Sequence, residues 1–178
     1  MPGQPDDAEQ TWSKRSLRPR RRDSAPPEPG QLYAAMRRFF EEEQWKFHEI
    51  EGQSAVRLGC TGENGDWTCV AQIKENPGRF LFYSVLAVRA PAAERSAVAE
   101  FIARANYGMV LGNFELDYTD GEIRYKTSAY LEELLPSREL FHTLVYTNLL
   151  MTDKYLPGIM SVIYAGMTPD LAMARVGG

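Results

Sequence analysis

An Asp-Gly pair at positions 120 and 121 separates two short segments in which apolar and polar residues alternate. Such a pair is typical of the two-residue loop of a β-hairpin. A two-residue loop fixes which residues face each other across the strands: Leu116 and Tyr125, Phe114 and Thr127, Asp117 and Arg124, Glu115 and Lys126. One face of the hairpin is then apolar and the other charged, which predicts an antiparallel sheet with one face against a core.

A second hairpin is predicted at the Asn-Gly pair of positions 64 and 65, between strands at 55–61 and 67–75. The same two-residue rule places Cys60 directly opposite Cys69, with both side chains on the apolar face. We expect two reduced, buried thiols, because a cytoplasmic location disfavours disulfides. A disulfide stays open as the alternative, since the pair is close enough at the short end of disulfide geometry.

The next strand, predicted at 79–88, is apolar on both of its faces. A layer of helices can cover one face, but an antiparallel sheet usually leaves the other face to water. The side chains of Leu81, Tyr83 and Val85 on that other face therefore predict a second sheet or a second subunit. We expect a homodimer, with burial by the N-terminal tail or by a long loop as the intramolecular alternative.

Four helices are predicted from apolar residues at helical spacing. The first covers about 30–44, and the second starts at Pro91. A long third helix begins after Ser137, which can cap it, and is expected to kink or break at Pro157. Asp153 is then expected to bond backbone groups that the kink releases. With a short last helix the order is αββββαββαα, an α+β fold.

The composition of the 178 residues, 44% hydrophobic and 25% charged, is that of an ordinary globular domain. Residues 1–29 differ because they are rich in proline and hold six basic and five acidic residues. We predict a disordered basic tail at 1–29 and one folded domain at 30–178. Of the chain's 20 basic and 24 acidic residues, fourteen and nineteen lie in that domain, so its net charge is −5. This charge disfavours nucleic-acid binding except through the tail.

The first residues show no apolar segment of the kind that directs secretion. The early acidic residues Asp6, Asp7 and Glu9 also argue against an organelle transit peptide. The chain contains no run of eighteen apolar residues that could span a membrane. We therefore expect a cytoplasmic protein.

No residue pattern in the sequence reaches the strength of a catalytic or cofactor signature. Adjacent carboxylates such as Glu132 and Glu133 are typical of a solvated helix face. His48 has no Ser, Cys or Asp partner at a recognisable spacing, and it does not combine with His142 and the cysteines into a zinc-binding pattern. We predict no catalytic residue, no cofactor and no metal site.

Ten residues near the end of the chain, together with the order of elements, carry a family resemblance: Asp153, Tyr155, Pro157, Ile159, Val162, Ile163, Tyr164, Gly166, Pro169 and Ala172. With them the stretch 30–172 resembles the bacterial YbjN family, which has the fold of type III secretion chaperones. The resemblance implies helices on one side of an antiparallel sheet, commonly paired as a dimer. Family members are described as sensory transduction regulators, and no family catalytic residues exist to carry over.

The sequence leaves two functions open. The first is a non-enzymatic protein-binding module, regulatory or chaperone-like, with Leu81, Tyr83, Val85 and Tyr155 as candidate partner or dimer contacts. The second is a small-molecule binding or catalytic domain with a pocket between the sheet and the helices, lined by Tyr83, Tyr125 and Tyr155. A filled core with an apolar dimer face would favour the first function, and a sizeable polar-lined cavity would favour the second.

Overall fold

The computed structural model describes residues 27–131 and 135–177. These residues form helices and strands in the predicted order. Their bounds are α1 Gln31–Glu42, β1 His48–Glu49, β2 Ala55–Thr61, β3 Asp66–Glu75, β4 Gly78–Arg89, α2 Arg95–Asn106, β5 Asn113–Leu116, β6 Glu122–Tyr130, α3 Arg138–Ala165 and α4 Pro169–Val176. Residues 1–26 of the predicted tail lie outside the described residues.

The strands form one antiparallel sheet in the order β1-β2-β3-β4-β6-β5. Alternate residues of β4 are buried, and these face the helices. The ring of Phe40 in α1 stacks on Phe82 at 6.3 Å between centroids, and Phe141 in α3 meets Phe80 edge-on at 4.9 Å. The predicted α+β fold, with helices on one face of an antiparallel sheet, is confirmed.

A buried amide fixes α3 on this sheet. Asn148 is fully buried, and its Nδ2 donates to the backbone carbonyls of Phe82 at 2.9 Å and Tyr125 at 3.2 Å. The hydroxyl of Thr127 donates to the carbonyl of Leu144 at 2.8 Å, which adds a second bond between β6 and α3. Buried hydrogen bonds of this kind specify position as well as stability. They determine which side of α3 turns away from the sheet.

The predicted register of the β5–β6 hairpin is wrong by two residues. Phe114 faces Tyr125 rather than Thr127, and the loop between Asp117 and Glu122 has four residues instead of two. The longer loop forms because Asp117 Oδ1 accepts from the backbone N–H of Thr119 at 2.7 Å, a local bond that a two-residue loop does not contain. Because a shift of two keeps every side chain on its own face, the predicted apolar face is still the buried one.

The register of the β2–β3 hairpin also differs from the predicted register by two residues. Cys60 faces Trp67, and Cys69 faces Leu58, so the two cysteines are diagonal rather than direct neighbours. The four-residue loop 62–65 is closed by a bond from the N–H of Gly62 to the carbonyl of Gly65 at 2.9 Å. The direct pairing of Cys60 with Cys69 is therefore wrong, although both side chains lie on the buried face as predicted.

Helix α3 runs without a break from Arg138 to Ala165, so of the kink or break predicted at Pro157 the break is wrong. Proline has no N–H, and the carbonyl that loses its helical partner is that of Asp153, four residues earlier. The side chain of Asn64 donates to this carbonyl at 3.1 Å. A tertiary hydrogen bond thus replaces the helical hydrogen bond that the proline removes.

Among the residues that the structure describes, no helix is both long and apolar enough to cross a bilayer.

Candidate functional site

A cleft of about 850 Å³ opens between α3 and the turn end of the β2–β3 hairpin. Four separate parts of the chain line it: Trp45 after α1, the end of β2 with loop 62–64, the α3 residues from Tyr146 to Lys154, and Val176 at the end of α4. We call it the α3 cleft. It has an aromatic end, a polar end, a floor of sulfur and indole groups, and an open apolar lip.

Two aromatic rings form one end of the α3 cleft. Trp45 and Tyr146 meet edge-to-face with their centroids 6.2 Å apart, and His142 stacks on the other side of Tyr146 at 4.2 Å. The Tyr146 hydroxyl donates to Glu43 Oε2 at 3.0 Å. Burial, together with this carboxylate, raises the pKa of Tyr146, so the hydroxyl stays a donor. These contacts join the end of α1 to α3 at the aromatic end of the cleft.

The polar end is built around Asp153. Its Oδ1 accepts from the backbone N–H of Asn64 at 2.9 Å, and its Oδ2 accepts from that of Glu63 at 3.2 Å. A Cβ at Gly62 would lie 2.2 Å from Asp153 Oδ1 and 2.7 Å from the ring of Trp67, so only glycine allows this approach. Together with the bond from the Asn64 side chain, these contacts attach the hairpin loop to α3. The prediction that the Asp153 side chain bonds backbone groups near Pro157 is therefore wrong, because this side chain bonds the hairpin loop.

The floor of the cleft contains Cys60 and Trp67. Cys60 Sγ lies 2.7 Å from Cys69 Sγ, and both cysteines are free and buried. The Trp67 indole N–H donates to Ser84 Oγ at 2.9 Å, and this oxygen is also 3.4 Å from Cys69 Sγ. Burial raises the pKa of the Cys69 thiol, so Cys69 is protonated at neutral pH. The candidate thiol pair is thus adjacent to the cleft.

The lip of the cleft is apolar and open. Leu150 is 65% exposed, which is high for a leucine in the middle of a long helix. Opposite it, the edge of β2 is incompletely paired, because β1 pairs only with Val56 and Arg57. The bond from Ile50 to Ala55 shows that odd-numbered residues of β2 point their backbone groups outward. Within the described residues, Gly59 and Thr61 therefore have no strand partner on this side.

The candidate contacts Leu81, Tyr83 and Val85 lie half-buried on the outer face of β4, opposite the helices. The guanidinium of Arg124 lies 4.7 Å from the centroid of the Tyr83 ring. Arg124 also forms an ion pair of 2.7 Å with Glu115. The outer face is therefore an apolar strip with a charged border.

Tyr155 lies on the helix side of the sheet, away from Leu81, Tyr83 and Val85. Its ring meets Phe114 edge-on at 5.6 Å and Phe101 at 6.4 Å. The expected pocket lined by Tyr83, Tyr125 and Tyr155 does not form, because Tyr83 points to the outer face and Tyr125 is fully buried. The Tyr125 hydroxyl donates to the carbonyl of Leu111, and burial raises its pKa to about 12.

The sequence reasoning did not bring the residues of the α3 cleft together as one site, although it singled out Asp153, Cys60 and Asn64 for other roles. One signal for them exists in the chain. Leu149, Leu150 and Met151 are consecutive, and three consecutive residues of a helix cannot all face the same core. At least one of these side chains must point away from the core that the others contact, and Leu150 does so, toward solvent.

Comparison with known proteins gives the following similarities. The sequence profile of the YbjN family, described as "Putative bacterial sensory transduction regulator", matches residues 33–160. The crystal structure of YbjN from E. coli, titled a "putative transcription regulator", is 16% identical with a TM-score of 0.52, covering 67% of this chain and 84% of that one. The HopA1-SchA chaperone-effector complex is 13% identical with a TM-score of 0.46, covering 70% and 93%. No curated protein sequence matches the chain.

Proposed function

The chain belongs to the YbjN family, and we propose that it is a non-enzymatic protein-binding module, regulatory or chaperone-like, that holds an extended segment of a partner polypeptide in the α3 cleft. The single observation that carries this proposal is the position of a free strand edge beside an exposed apolar helix surface. The family description as a regulator agrees with a binding role. We place this activity in the cytoplasm, as the sequence predicts.

The strand edge supplies the backbone half of the proposed recognition. Gly59 and Thr61 direct their N–H and carbonyl groups outward, and a strand laid beside them would satisfy these groups. Main-chain hydrogen bonds of this kind bind many sequences, which suits a module that recognises an extended segment.

The helix surface supplies the side-chain half. Alternate side chains of an added strand would point toward α3, where Leu149 and Leu150 offer apolar contacts and Trp45 closes one end. Aromatic and apolar anchors of this type dominate binding energy at protein interfaces. We therefore expect a partner segment with apolar residues at every second position.

Affinity purification with quantitative mass spectrometry tests this proposal. Leu150→Lys places a charge on the lip of the cleft, whereas Leu171→Lys on α4 is a matched control, because the two leucines are 65% and 58% exposed. A polypeptide that is recovered with the wild type and with Leu171→Lys but lost with Leu150→Lys supports the proposal. In the complex, the backbone amides of Gly59 and Thr61 in this protein should exchange more slowly with solvent. Equal recovery with both variants, or recovery of no specific polypeptide, contradicts it.

We further propose that two copies of the chain pair through the outer sheet face. Leu81, Tyr83 and Val85 form an apolar strip that is half exposed in the single chain, and an apolar centre with a charged border is typical of protein interfaces. Leu81→Lys should convert the dimer to a monomer in analytical ultracentrifugation, whereas Leu171→Lys should leave it dimeric. A monomeric wild type at high protein concentration would contradict this pairing.

A small-molecule site in the α3 cleft is the second candidate, favoured by the cleft's volume of about 850 Å³, which is within the range of ligand pockets. In the described residues, no group of three or more His, Cys, Asp and Glu side chains offers a metal centre that would support catalysis. Native mass spectrometry after gentle purification separates the two candidates. A bound low-mass compound that is displaced in Leu150→Lys would favour the second, and an apo protein that binds peptides would favour the first.

A further inference from the structure

The two cysteines are positioned for bond formation with each other. Their side chains lie on the same buried face of β2 and β3, at diagonal positions of the ladder. The distance of 2.7 Å between the Sγ atoms exceeds a disulfide bond by only about 0.7 Å. The two sulfur atoms are therefore neighbours that can form a bond with each other.

The same distance argues against a metal between the sulfurs. A tetrahedral zinc ion with bonds of 2.3 Å would hold two thiolates about 3.8 Å apart. The observed 2.7 Å is more than an ångström shorter. Further, the described residues contain no third His, Asp or Glu that could complete a site. The geometry fits a dithiol that becomes a disulfide better than it fits a pair of metal ligands.

The two thiols differ in their access to solvent. Cys60 forms part of the cleft floor and is 7% exposed, whereas Cys69 is fully buried behind it. Reagents that enter the α3 cleft therefore meet Cys60 first. Since burial also raises the pKa of Cys69, this thiol stays protonated and does not react with reagents from solvent, and the only other thiol of the chain, that of Cys60, is within its reach.

We propose that Cys60 and Cys69 are a redox-active dithiol, in which Cys60 attacks a low-molecular-weight disulfide in the α3 cleft and Cys69 then closes an intramolecular disulfide. In the first step the Cys60 thiolate displaces one thiolate of a reagent such as oxidised glutathione and forms a mixed disulfide. In the second step Cys69 attacks the Cys60 sulfur and releases the second glutathione thiolate. The two protein protons pass to the two leaving thiolates, so one disulfide is reduced for each one formed. This modification does not depend on the proposed partner binding.

Incubation of the full chain in glutathione buffers of increasing oxidising strength tests the proposal, with intact mass and thiol titration as readouts. The wild type should lose two thiols together and gain no glutathione. Cys69→Ala should keep one glutathione on Cys60, because nothing resolves the mixed disulfide. Cys60→Ala should keep its single thiol free in the native state, because Cys69 is not accessible. The substituted alanine is small and apolar in both variants, so no unpaired polar group is buried.

The wild-type arm decides the proposal even where a variant does not fold. Two free thiols at the oxidising end of the series, or a glutathione retained on each cysteine, would overturn it. Equal rates of glutathione addition to Cys60→Ala and Cys69→Ala, in variants that keep the wild-type circular dichroism, would overturn the assignment of Cys60 as the attacking thiol. Slow, paired loss of thiols that reverses with reduced glutathione is the expected result.

Discussion

The β2–β3 and β5–β6 hairpins carry the same turn signal, an Asx-Gly pair between alternating strands, and both form four-residue loops. They differ in what holds the loop. In the β5–β6 hairpin two backbone N–H groups bond to carboxylates of the turn itself, that of Thr119 to Asp117 and that of Glu122 to Asp120. The β2–β3 loop is held by Asp153, which lies about 90 residues further along the chain.

This difference teaches that one turn signal can be completed in two ways. A loop needs acceptors for its free backbone N–H groups, and either a local carboxylate or a distant one can supply them. In the β5–β6 loop the acceptors of these N–H groups are local, although Arg95 of α2 also donates to the carbonyl of Tyr118 at 2.7 Å. The distant solution makes the β2–β3 loop part of the α3 cleft, so that the shape of the cleft depends on the attachment of this loop.

We expect the largest loss of stability from a substitution in the β5–β6 hairpin. Gly121 has φ of +79°, and a Cβ there would lie 2.1 Å from the backbone carbonyl oxygen of Ala90. Gly121→Ala should lower the free energy of unfolding by about 3 kcal/mol, because left-handed strain adds to a clash with backbone that cannot move aside. Urea denaturation measures the loss. Gly52→Ala, at φ of +72° with no atom within 4 Å, should cost only about 1 kcal/mol. Equal losses in both would show that the contact with Ala90 is unimportant.

The next largest loss is expected when the attachment of the β2–β3 loop to α3 is removed. Asp153→Ala leaves the N–H groups of Glu63 and Asn64 to water and should cost about 1–2 kcal/mol, since both bonds are partly exposed. Amide exchange should quicken at both loop residues. The matched variant Asp117→Ala in the other hairpin should cost less, about 0.5–1 kcal/mol, and should quicken exchange in its own loop only.

A double-mutant cycle sharpens this result. Gly62→Ala introduces a Cβ where Asp153 Oδ1 now lies, so part of its cost should disappear once Asp153 is alanine. We expect a coupling of about 1 kcal/mol between the two positions. Additive losses would mean that the ring of Trp67, which also lies close to Gly62, sets the whole cost.

The smallest expected effect concerns the proline in α3. Asn64→Ala leaves the carbonyl of Asp153 without its donor and should cost about 1 kcal/mol. Pro157→Ala restores the helical N–H that this carbonyl lacks, so in that background Asn64→Ala should cost close to nothing. Urea denaturation of the four proteins gives the comparison. The same loss in both backgrounds would show that the Asn64 side chain does not compensate for the proline.

Much of the fold could be predicted from the sequence because its signals are local. The buried residues of α2, namely Val98, Phe101, Ile102 and Ala105, follow a helical period, and Ser137 caps α3 by accepting from the N–H of Leu140 as expected. The α3 cleft could not be predicted in this way. Its walls come from segments between Trp45 and Val176, and no local pattern states that they meet.

The sequence by itself determined which face of each strand is buried, because side chains alternate with a period of two along a strand and a register shift of two leaves that face unchanged. It therefore placed Cys60 and Cys69 side by side in the core even though the pairing that it predicted was wrong. Only the tertiary structure decided the attachment of the β2–β3 loop to α3 and the donor that replaces the missing helical N–H at Pro157. Both consist of hydrogen bonds between Asp153 and Asn64, two residues that folding alone brings together.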